Sequence, residues 1–123
     1  MSKKVLVVDD SKTALMMERE ILEKRTSYQC VTAADGQEAV EKAAQEHPDL
    51  VLMDVVMPRM NGFEACKMMR QQASTREIPI VLVTTRSEES YMEAGFQSGC
   101  NDYITKPVNG AELVALLQSY LGE

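Results

Sequence analysis

Short runs of apolar residues alternate along the chain with longer stretches in which apolar positions recur at helical spacing. The short runs, rich in β-branched residues, predict five strands at residues 5–8, 30–34, 50–53, 80–83 and 102–104. The first, third and fourth runs are apolar almost throughout, as expected of central strands covered on both faces. The longer stretches predict amphipathic helices, and their apolar stripes are Ala14, Met17 and Ile21; Ala39, Val40, Ala43 and Ala44; Phe63, Cys66 and Met69; and Leu113, Val114, Leu117 and Leu121.

Capping residues indicate where the predicted helices begin and end. An Asx residue followed three positions later by Glu, the pattern of a capping box, occurs at Asp35, Asn61 and Asn109. Residues 87–89, Ser-Glu-Glu, place carboxylates at the start of a further helix, where the helix dipole favours them. His47 precedes a proline and predicts the end of the second helix, and Gly99 predicts the end of the fourth.

The alternation of strand and helix predicts an α/β fold with a parallel sheet. Right-handed connections between parallel strands place helices on both faces of such a sheet. The 123 residues contain no repeat, linker or low-complexity segment, so we expect residues 1–123 to form one domain with no output domain. Ligands of these folds bind beyond the carboxyl ends of the strands, and the residues there are the candidates for function.

The excess of acidic over basic residues makes some classes of binding partner unfavourable. The sequence has 13 Lys and Arg against 19 Asp and Glu, and the net charge of −6 disfavours binding to nucleic acid or anionic lipid. No apolar run is long enough to span a membrane, and the run after the basic residues 1–4 is too short for a signal peptide. The three cysteines lack metal or disulfide spacing. We therefore expect a cytoplasmic protein with reduced cysteines that binds neither nucleic acid nor membrane.

Polar side chains follow four of the predicted strands. Asp9 and Asp10 end the first strand, Asp54 the third and Thr84 the fourth, while Lys106 follows the fifth. Each residue taken singly is also explained as a turn, cap or solvated loop residue. Asp54 is the hardest to explain in this way, because it follows an apolar run and is expected to be desolvated. Together, three carboxylates, a hydroxyl and an ammonium at one sheet edge favour a functional site.

The residue types at this edge indicate phosphoryl chemistry. Crowded carboxylates repel one another unless a cation lies between them, and Mg²⁺ fits best because it takes carboxylate ligands beside phosphate. The sequence has no glycine-rich phosphate loop, and its one histidine, His47, supplies no nucleophile system. The remaining set suits phosphoryl transfer to an aspartate, with cations neutralising the phosphoryl oxygens and a threonine donating a hydrogen bond to one of them.

Four segments of the chain resemble the receiver domain of two-component response regulators. They are residues 5–11 (VLVVDDS), 54–62 (DVVMPRMNG), 79–85 (PIVLVTT) and 99–107 (GCNDYITKP), in the family's order and spacing. The resemblance implies a flavodoxin-like (βα)5 doubly wound fold with a five-stranded parallel sheet in the order 2-1-3-4-5. It also implies a single-domain regulator similar to those of chemotaxis or motility.

The same resemblance implies a role for each residue at the sheet edge. Asp54 is the phosphoacceptor. Asp9 and Asp10 bind Mg²⁺ together with Asp54 and the backbone carbonyl of Val56. Lys106 pairs with the phosphoryl group.

Two further residues form the switch that the resemblance implies. Thr84 donates a hydrogen bond to the phosphoryl group, and Tyr103 changes rotamer together with Thr84. A half-buried aromatic with a solvated hydroxyl is also an ordinary feature of a strand end, and the two interpretations of Tyr103 are compatible.

The chain departs from the family pattern near the phosphoryl position. Thr85 stands where the family usually has Ala, and Val108 stands where the family often has Phe. Val56 and Arg86 occupy the two positions whose side chains border the phosphoryl group and tune its hydrolysis. An apolar Val56 does not orient an attacking water, and Arg86 is able to shield or pair with the phosphoryl group, so we predict slow self-dephosphorylation.

The resemblance also implies partners. A sensor histidine kinase donates the phosphoryl group, and catalysis is limited to the chain's own phosphorylation and dephosphorylation. We expect the output to be contact with a downstream protein through residues 87–121, the face of the fourth helix, fifth strand and fifth helix. Phosphorylation shifts the population of this face. We expect a monomer or a phosphorylation-dependent dimer.

Three alternatives stay open from the sequence. A Mg²⁺-dependent phosphatase of the haloacid dehalogenase type uses the same residue types, but its nucleophile ends the first strand in an Asp-x-Asp motif, and this chain is short for its cap domain. An adaptor that keeps the receiver fold and works without phosphorylation shares the sequence pattern. A fragment cut from a larger regulator is also compatible with the sequence.

Overall fold

Five strands alternate with five helices, as the apolar pattern predicts. The computed structural model describes residues 2–86 and 88–122, so Ser87, predicted at the start of the fourth helix, lies outside the described residues. The strands are β1 (Lys4–Val8), β2 (Gln29–Ala33), β3 (Leu50–Asp54), β4 (Ile80–Thr84) and β5 (Asp102–Thr105). The helices are α1 (Lys12–Arg25), α2 (Gly36–Glu46), α3 (Gly62–Gln71), α4 (Glu89–Gln97) and α5 (Gly110–Leu121).

The strands form one parallel sheet with the order β2-β1-β3-β4-β5. This confirms the predicted fold class and strand order. β1, β3 and β4 lie at the centre, and every residue of β3 and β4 is buried, which explains their continuous apolar sequences. Both strands extend one residue beyond their predicted bounds, so that Asp54 and Thr84 are their last residues.

Alternate residues of the central strands point to opposite faces of the sheet and build two separate cores. Leu6 and Leu82 belong to the core that α2 and α3 cover, whereas Val7 and Leu52 belong to the core that α1 and α5 cover. Helices on both faces were predicted from the right-handed connections, and the two cores confirm them. Among the described residues, no helix has the length and apolar character needed to cross a bilayer.

The cysteines behave as small apolar residues. Cys66 and Cys100 are buried, Cys30 is half-buried, and all three are free thiols. Burial raises the pKa of each thiol, that of Cys100 to about 12. A thiol with a raised pKa is a poor nucleophile and a poor metal ligand.

Side-chain caps begin three helices at the predicted Asx residues. Asp35, Asn61 and Asn109 each accept a hydrogen bond from the backbone amide three residues later. The capping box is reciprocal at Asn61, whereas the Glu38 carboxylate accepts from the Ala34 amide instead. The predicted helix ends are also correct: His47 caps α2 with φ 50, and Gly99 follows α4 with φ 106.

The predicted buried face of α1 is wrong by about one residue. Met17, placed in the apolar stripe, is 60% exposed, and the buried residues of α1 are Glu18 and Leu22. The apolar spacing alone favoured Met17. The helix instead turns the Glu18 carboxyl inward, where it meets charged groups from other segments.

Gly36 and Gly110 both begin a helix after an Asx cap, but their surroundings differ. A Cβ atom on Gly36 would overlap with the carbonyl oxygen of Met60, in the loop before α3. A Cβ atom on Gly110 would approach the Arg25 guanidinium at 3.3 Å, the flexible end of a long side chain. Of these two glycines, Gly36 is therefore the one required by a close backbone approach.

We expect Gly36→Ala to lower the free energy of unfolding by about 1–3 kcal/mol, because the Met60 carbonyl must move away from the added methyl group. Gly110→Ala is the matched control and should be neutral or stabilising by up to about 1 kcal/mol, since it restricts the unfolded chain. Urea denaturation followed by circular dichroism measures both values. Equal effects of the two substitutions would contradict the steric requirement at Gly36.

Candidate functional site

The parallel register brings the acidic strand ends together. Val8 of β1 lies opposite Met53 of β3, so the next residues, Asp9 and Asp54, are neighbours at the carboxyl edge of the sheet. Asp9 and Asp54 are buried, with 1% and 7% of their surface exposed, whereas Asp10 is exposed. Single carboxylate oxygens of Asp9, Asp10 and Asp54, which we call the acidic cluster, all lie within 4.8 Å of one another.

Lys106 supplies positive charge at the acidic cluster. Its Nζ atom donates a hydrogen bond to Asp9 Oδ2 at 3.1 Å and forms an ion pair with Asp54 Oδ1 at 3.2 Å. The other oxygen of Asp9 accepts a hydrogen bond from the Ser11 amide at 2.9 Å. The Lys106 amide donates to the Thr84 carbonyl at 2.7 Å, so the end of β4 determines where the lysine side chain begins.

The electrostatics of the cluster leave negative charge in excess. Burial and the nearby charge of Asp9 raise the pKa of Asp54 to about 6, and Lys106 opposes this shift. Burial by itself would lower the pKa of Lys106, but its interactions with Asp9 and Asp54 outweigh burial and raise it. One ammonium therefore faces three carboxylates, and a further cation would relieve their repulsion.

The donor atoms of the cluster fit a magnesium ion. Mg²⁺ takes oxygen ligands at about 2.0–2.1 Å, so ligands on opposite sides of one ion lie about 4.2 Å apart. The carboxylate oxygens lie within 4.8 Å of one another, which is close to that spacing. The Val56 carbonyl receives no hydrogen bond from residues 2–86 or 88–122 and is free to serve as a ligand. The side chain of Val56 is 62% exposed.

The backbone of Arg86 joins Thr84 to Tyr103. The buried Thr84 hydroxyl oxygen accepts a hydrogen bond from the Arg86 amide at 3.2 Å, and the Tyr103 hydroxyl donates to the Arg86 carbonyl at 2.8 Å. Burial raises the pKa of Tyr103 to about 12, which keeps its hydroxyl protonated. The Arg86 guanidinium pairs with Glu88 rather than with the acidic cluster, and sequence reasoning missed this contact.

A fourth carboxylate, also missed from the sequence, lies beside the acidic cluster. Glu18 of α1 is 4% exposed and lines a cavity of about 170 Å³ together with Lys106. Burial raises the pKa of Glu18 to about 7, and the charge of Asp9 adds to the effect. The sequence signal was the four-residue spacing of Ala14, Glu18 and Leu22. It was missed because a glutamate in a helix is ordinarily assigned to the solvent.

Glu18 gives the free energy of unfolding a defined pH dependence. Its pKa is about 7 in the folded chain against an ordinary value of 4.5, so between these pH values the folded state keeps a proton that the unfolded state releases. Without divalent ions, stability should therefore fall as the pH rises through this window and level off above it. We expect Glu18→Gln to remove this contribution and to be more stable than wild type at about pH 8, by up to about 3 kcal/mol.

Urea denaturation in EDTA at about pH 4 and about pH 8 measures this difference. Glu20→Gln is the control, because Glu20 lies on the same helix but is exposed and pairs with Lys24. If the free energy of unfolding changed by the same amount with pH in the wild type and in Glu18→Gln, the inward position of the Glu18 carboxyl would be contradicted.

Comparison with known proteins relates the whole chain to one family. Residues 5–118 match the model of the response regulator receiver domain. The chain is 40% identical over 121 residues to the alkaline phosphatase synthesis transcriptional regulatory protein PhoP of Bacillus subtilis. The matched region covers 98% of this chain but only 49% of PhoP. It is also 40% identical over 118 residues to protein PilH of Pseudomonas aeruginosa, covering 96% of this chain and 97% of that one.

Solved structures share the fold. Chemotaxis protein CheY4 of Vibrio cholerae matches with a TM-score of 0.91 and 36% identity, over 98% of this chain and 99% of that chain. The receiver domain of sensor histidine kinase PA1611 of Pseudomonas aeruginosa, solved with a magnesium ion coordinated in its active site cleft, matches with a TM-score of 0.91 and 31% identity over 100% of both chains. The chain belongs to the response regulator receiver domain family, whose members are signalling switches rather than classical enzymes.

Proposed function

We propose that this receiver domain accepts a phosphoryl group on Asp54 from the phosphohistidine of a sensor histidine kinase and signals by altered protein binding. The observation that carries the proposal is the contact of Lys106 Nζ with Asp9 and Asp54, at 3.1 and 3.2 Å. This contact puts a nucleophilic oxygen, a cation and metal-binding oxygens within reach of one phosphoryl group. Family membership supports the same class of function.

Asp9, Asp10, Asp54 and the backbone carbonyl of Val56 are the residues that would hold Mg²⁺. A bound Mg²⁺ supplies positive charge that neutralises the phosphoryl oxygens during transfer. The magnesium ion in the cleft of the PA1611 receiver domain supports this assignment. Because Asp10 is exposed, the cluster is open to solvent on that side.

Asp54 acts as the nucleophile. One of its carboxylate oxygens bonds to phosphorus while the bond from phosphorus to the histidine nitrogen breaks, and the electron pair of that bond leaves with the imidazole. The reacting form is the carboxylate, and with a pKa of about 6 Asp54 is mostly ionised at neutral pH. Lys106 moves from the Asp54 oxygen to a phosphoryl oxygen, and the Thr84 hydroxyl donates a hydrogen bond to another.

The output face in this proposal consists of α4, β5 and α5, within the predicted residues 87–121. Phe96 and Tyr120 of this face are 48% and 36% exposed, and exposed aromatic side chains suit a protein interface. When Thr84 turns towards the phosphoryl group, its hydrogen bond with the Arg86 amide changes, and Tyr103 is bonded to the same residue. Phosphorylation then favours the arrangement of the face that the downstream protein binds.

Family membership favours this switch over the haloacid dehalogenase type of phosphatase. The likeness to a chemotaxis protein supports motility control as the class of pathway. A cytoplasmic location is part of the proposal, since three free cysteines suit a reducing compartment.

Incubation with Mg²⁺ and acetyl phosphate should add one phosphoryl group to the wild-type chain and none to Asp54→Asn. The amide of asparagine keeps the shape of the side chain but is a poor nucleophile. Replacing Mg²⁺ with EDTA should lower the yield, because repulsion between the acidic cluster and the phosphodonor is then unrelieved. Intact-mass spectrometry counts the phosphoryl groups.

Three other results would contradict the proposal. Continuous release of phosphate from a phosphomonoester would favour the phosphatase. An unmodified wild-type chain, with partner binding unaffected by Asp54→Ala, would favour the adaptor. Modification of Asp54→Asn would move the acceptor to another residue.

Val56 should slow the hydrolysis of the phosphorylated chain, because its exposed apolar side chain orients no water. We expect Val56→Asn to accelerate decay on the order of tenfold, since an amide beside the phosphoryl group holds the attacking water in place. Val56→Leu is the matched control, because leucine has nearly the shape of asparagine without its polar atoms. The measurement is intact mass against time after removal of acetyl phosphate, and equal decay of the two variants would remove this role of Val56.

A further inference from the structure

The guanidinium of Arg86 is held on the first turn of α4 by two residues. Its Nε atom donates to both carboxylate oxygens of Glu88, at 3.1 and 3.0 Å. Its Cζ atom lies 4.7 Å from the centre of the Tyr91 ring, in a cation–π contact. We call these two contacts the Arg86 latch.

The backbone of the same residue is bonded to both predicted switch residues. The Arg86 amide donates to Thr84 Oγ1 at 3.2 Å, and the Arg86 carbonyl accepts from the Tyr103 hydroxyl at 2.8 Å. A single residue therefore contacts the end of β4 and β5 through its backbone and α4 through its side chain. A movement of Arg86 in response to phosphorylation would be transmitted to all three elements.

The N-terminus of α4 lacks the side-chain cap that the other helices have. Glu88 is the N-cap residue of α4, but its side chain makes no capping hydrogen bond. The N-cap side chains of the other four helices all accept a backbone hydrogen bond; they are Ser11, Asp35, Asn61 and Asn109. The Glu88 carboxylate is used for Arg86 instead of the helix.

Tyr91 is itself held in place from the side of α3. Its ring packs against the Phe63 ring with centroids 5.1 Å apart and an interplanar angle of 60°. Gly95, one turn further along α4, lets the Tyr103 ring approach: a Cβ atom there would lie 3.2 Å from the ring. The aromatic platform beneath Arg86 is therefore part of the packing between α3, α4 and β5.

We propose that Glu88 and Tyr91 are positioning residues that hold the Arg86 guanidinium on α4, and that a phosphoryl group on Asp54 competes with them for it. The inference rests on the proposed phosphorylation of Asp54. Arg86 lies two residues beyond the end of β4, the strand paired with β3, which carries Asp54. A guanidinium binds phosphoryl oxygens in a bidentate manner through two N–H groups. Its contact with Glu88 here uses Nε alone.

The competition has two consequences. While the latch holds, Arg86 is kept from the phosphoryl group, and hydrolysis proceeds without its shielding. When Arg86 transfers to the phosphoryl group, Glu88 and Tyr91 lose their contacts with its guanidinium, and one side-chain restraint on the first turn of α4 is removed. The latch thus sets both the lifetime of the phosphorylated state and the order of α4 in that state.

The test is a double-mutant cycle on the decay of the phosphorylated chain. Glu88→Gln weakens the latch and should slow decay by about 1.5- to 5-fold, the range expected of one exposed ion pair. Arg86→Gln removes the guanidinium for which Glu88 and the phosphoryl group compete, and in that background Glu88→Gln should have no effect. Tyr91→Leu should slow decay in the same direction as Glu88→Gln. Glu89→Gln is the matched control, because this neighbouring carboxylate is exposed and forms no ion pair among the described residues, and it should decay like wild type.

Two results would overturn the inference. Decay of Glu88→Gln at the wild-type rate would show that the latch does not govern the availability of Arg86. An equal effect of Glu88→Gln with and without Arg86 would assign the effect to Glu88 alone. In both cases the wild-type chain is phosphorylated and the proposed function stands, whereas a wild-type chain that takes up no phosphoryl group would overturn both.

Discussion

The contacts of Lys106 with Asp9 and Asp54 hold together charges that burial would otherwise neutralise. The register of β1 and β3 makes the two carboxylates neighbours, and their burial removes the water that would screen them. Burial raises the pKa of Asp54, and the charge of Asp9 adds to this shift. Burying such charges stabilises a fold little, which supports the proposed role of the cluster in binding a cation. Glu18 adds a further buried carboxyl to the same region.

A rigid base supports this unfavourable arrangement. Every residue of β3 and β4 is buried, and α3 begins against the end of β3, where a Cβ atom on Gly62 would lie 2.6 Å from the Asp54 carbonyl oxygen. The Gly62 amide also donates to the Val55 carbonyl at 2.8 Å. The Asp54 carboxylate is therefore attached to backbone that cannot shift easily, which suits its proposed role of presenting one oxygen to a phosphoryl donor.

The neighbouring edge of the sheet is held in a different manner. Beyond Thr84, the described residues of the connection to α4 are linked by hydrogen bonds, one exposed ion pair and the contact of Arg86 with the Tyr91 ring. Exposed polar contacts are weak individually and are exchanged at low cost. In the proposed function, a rigid Asp54 lies beside an adjustable Arg86 and α4. This arrangement suits a switch, because a change in charge at Asp54 would select between two sets of contacts.

Local sequence determined the strands, the Asx caps and the identity of the charged residues at the strand ends. These features depend on spacing along a few residues. Local pattern therefore predicts the sheet and the caps at Asp35, Asn61 and Asn109. The topology of the sheet then predicts that Asp9, Asp54 and Lys106 lie close together. Tertiary structure alone decided that Glu18 turns inward while Met17 faces solvent, and that Arg86 pairs with Glu88 and Tyr91. Helical spacing defines a face only to within about one residue, and a long charged side chain has many partners in reach. The packing of distant segments therefore selects both the buried face of α1 and the partner of Arg86.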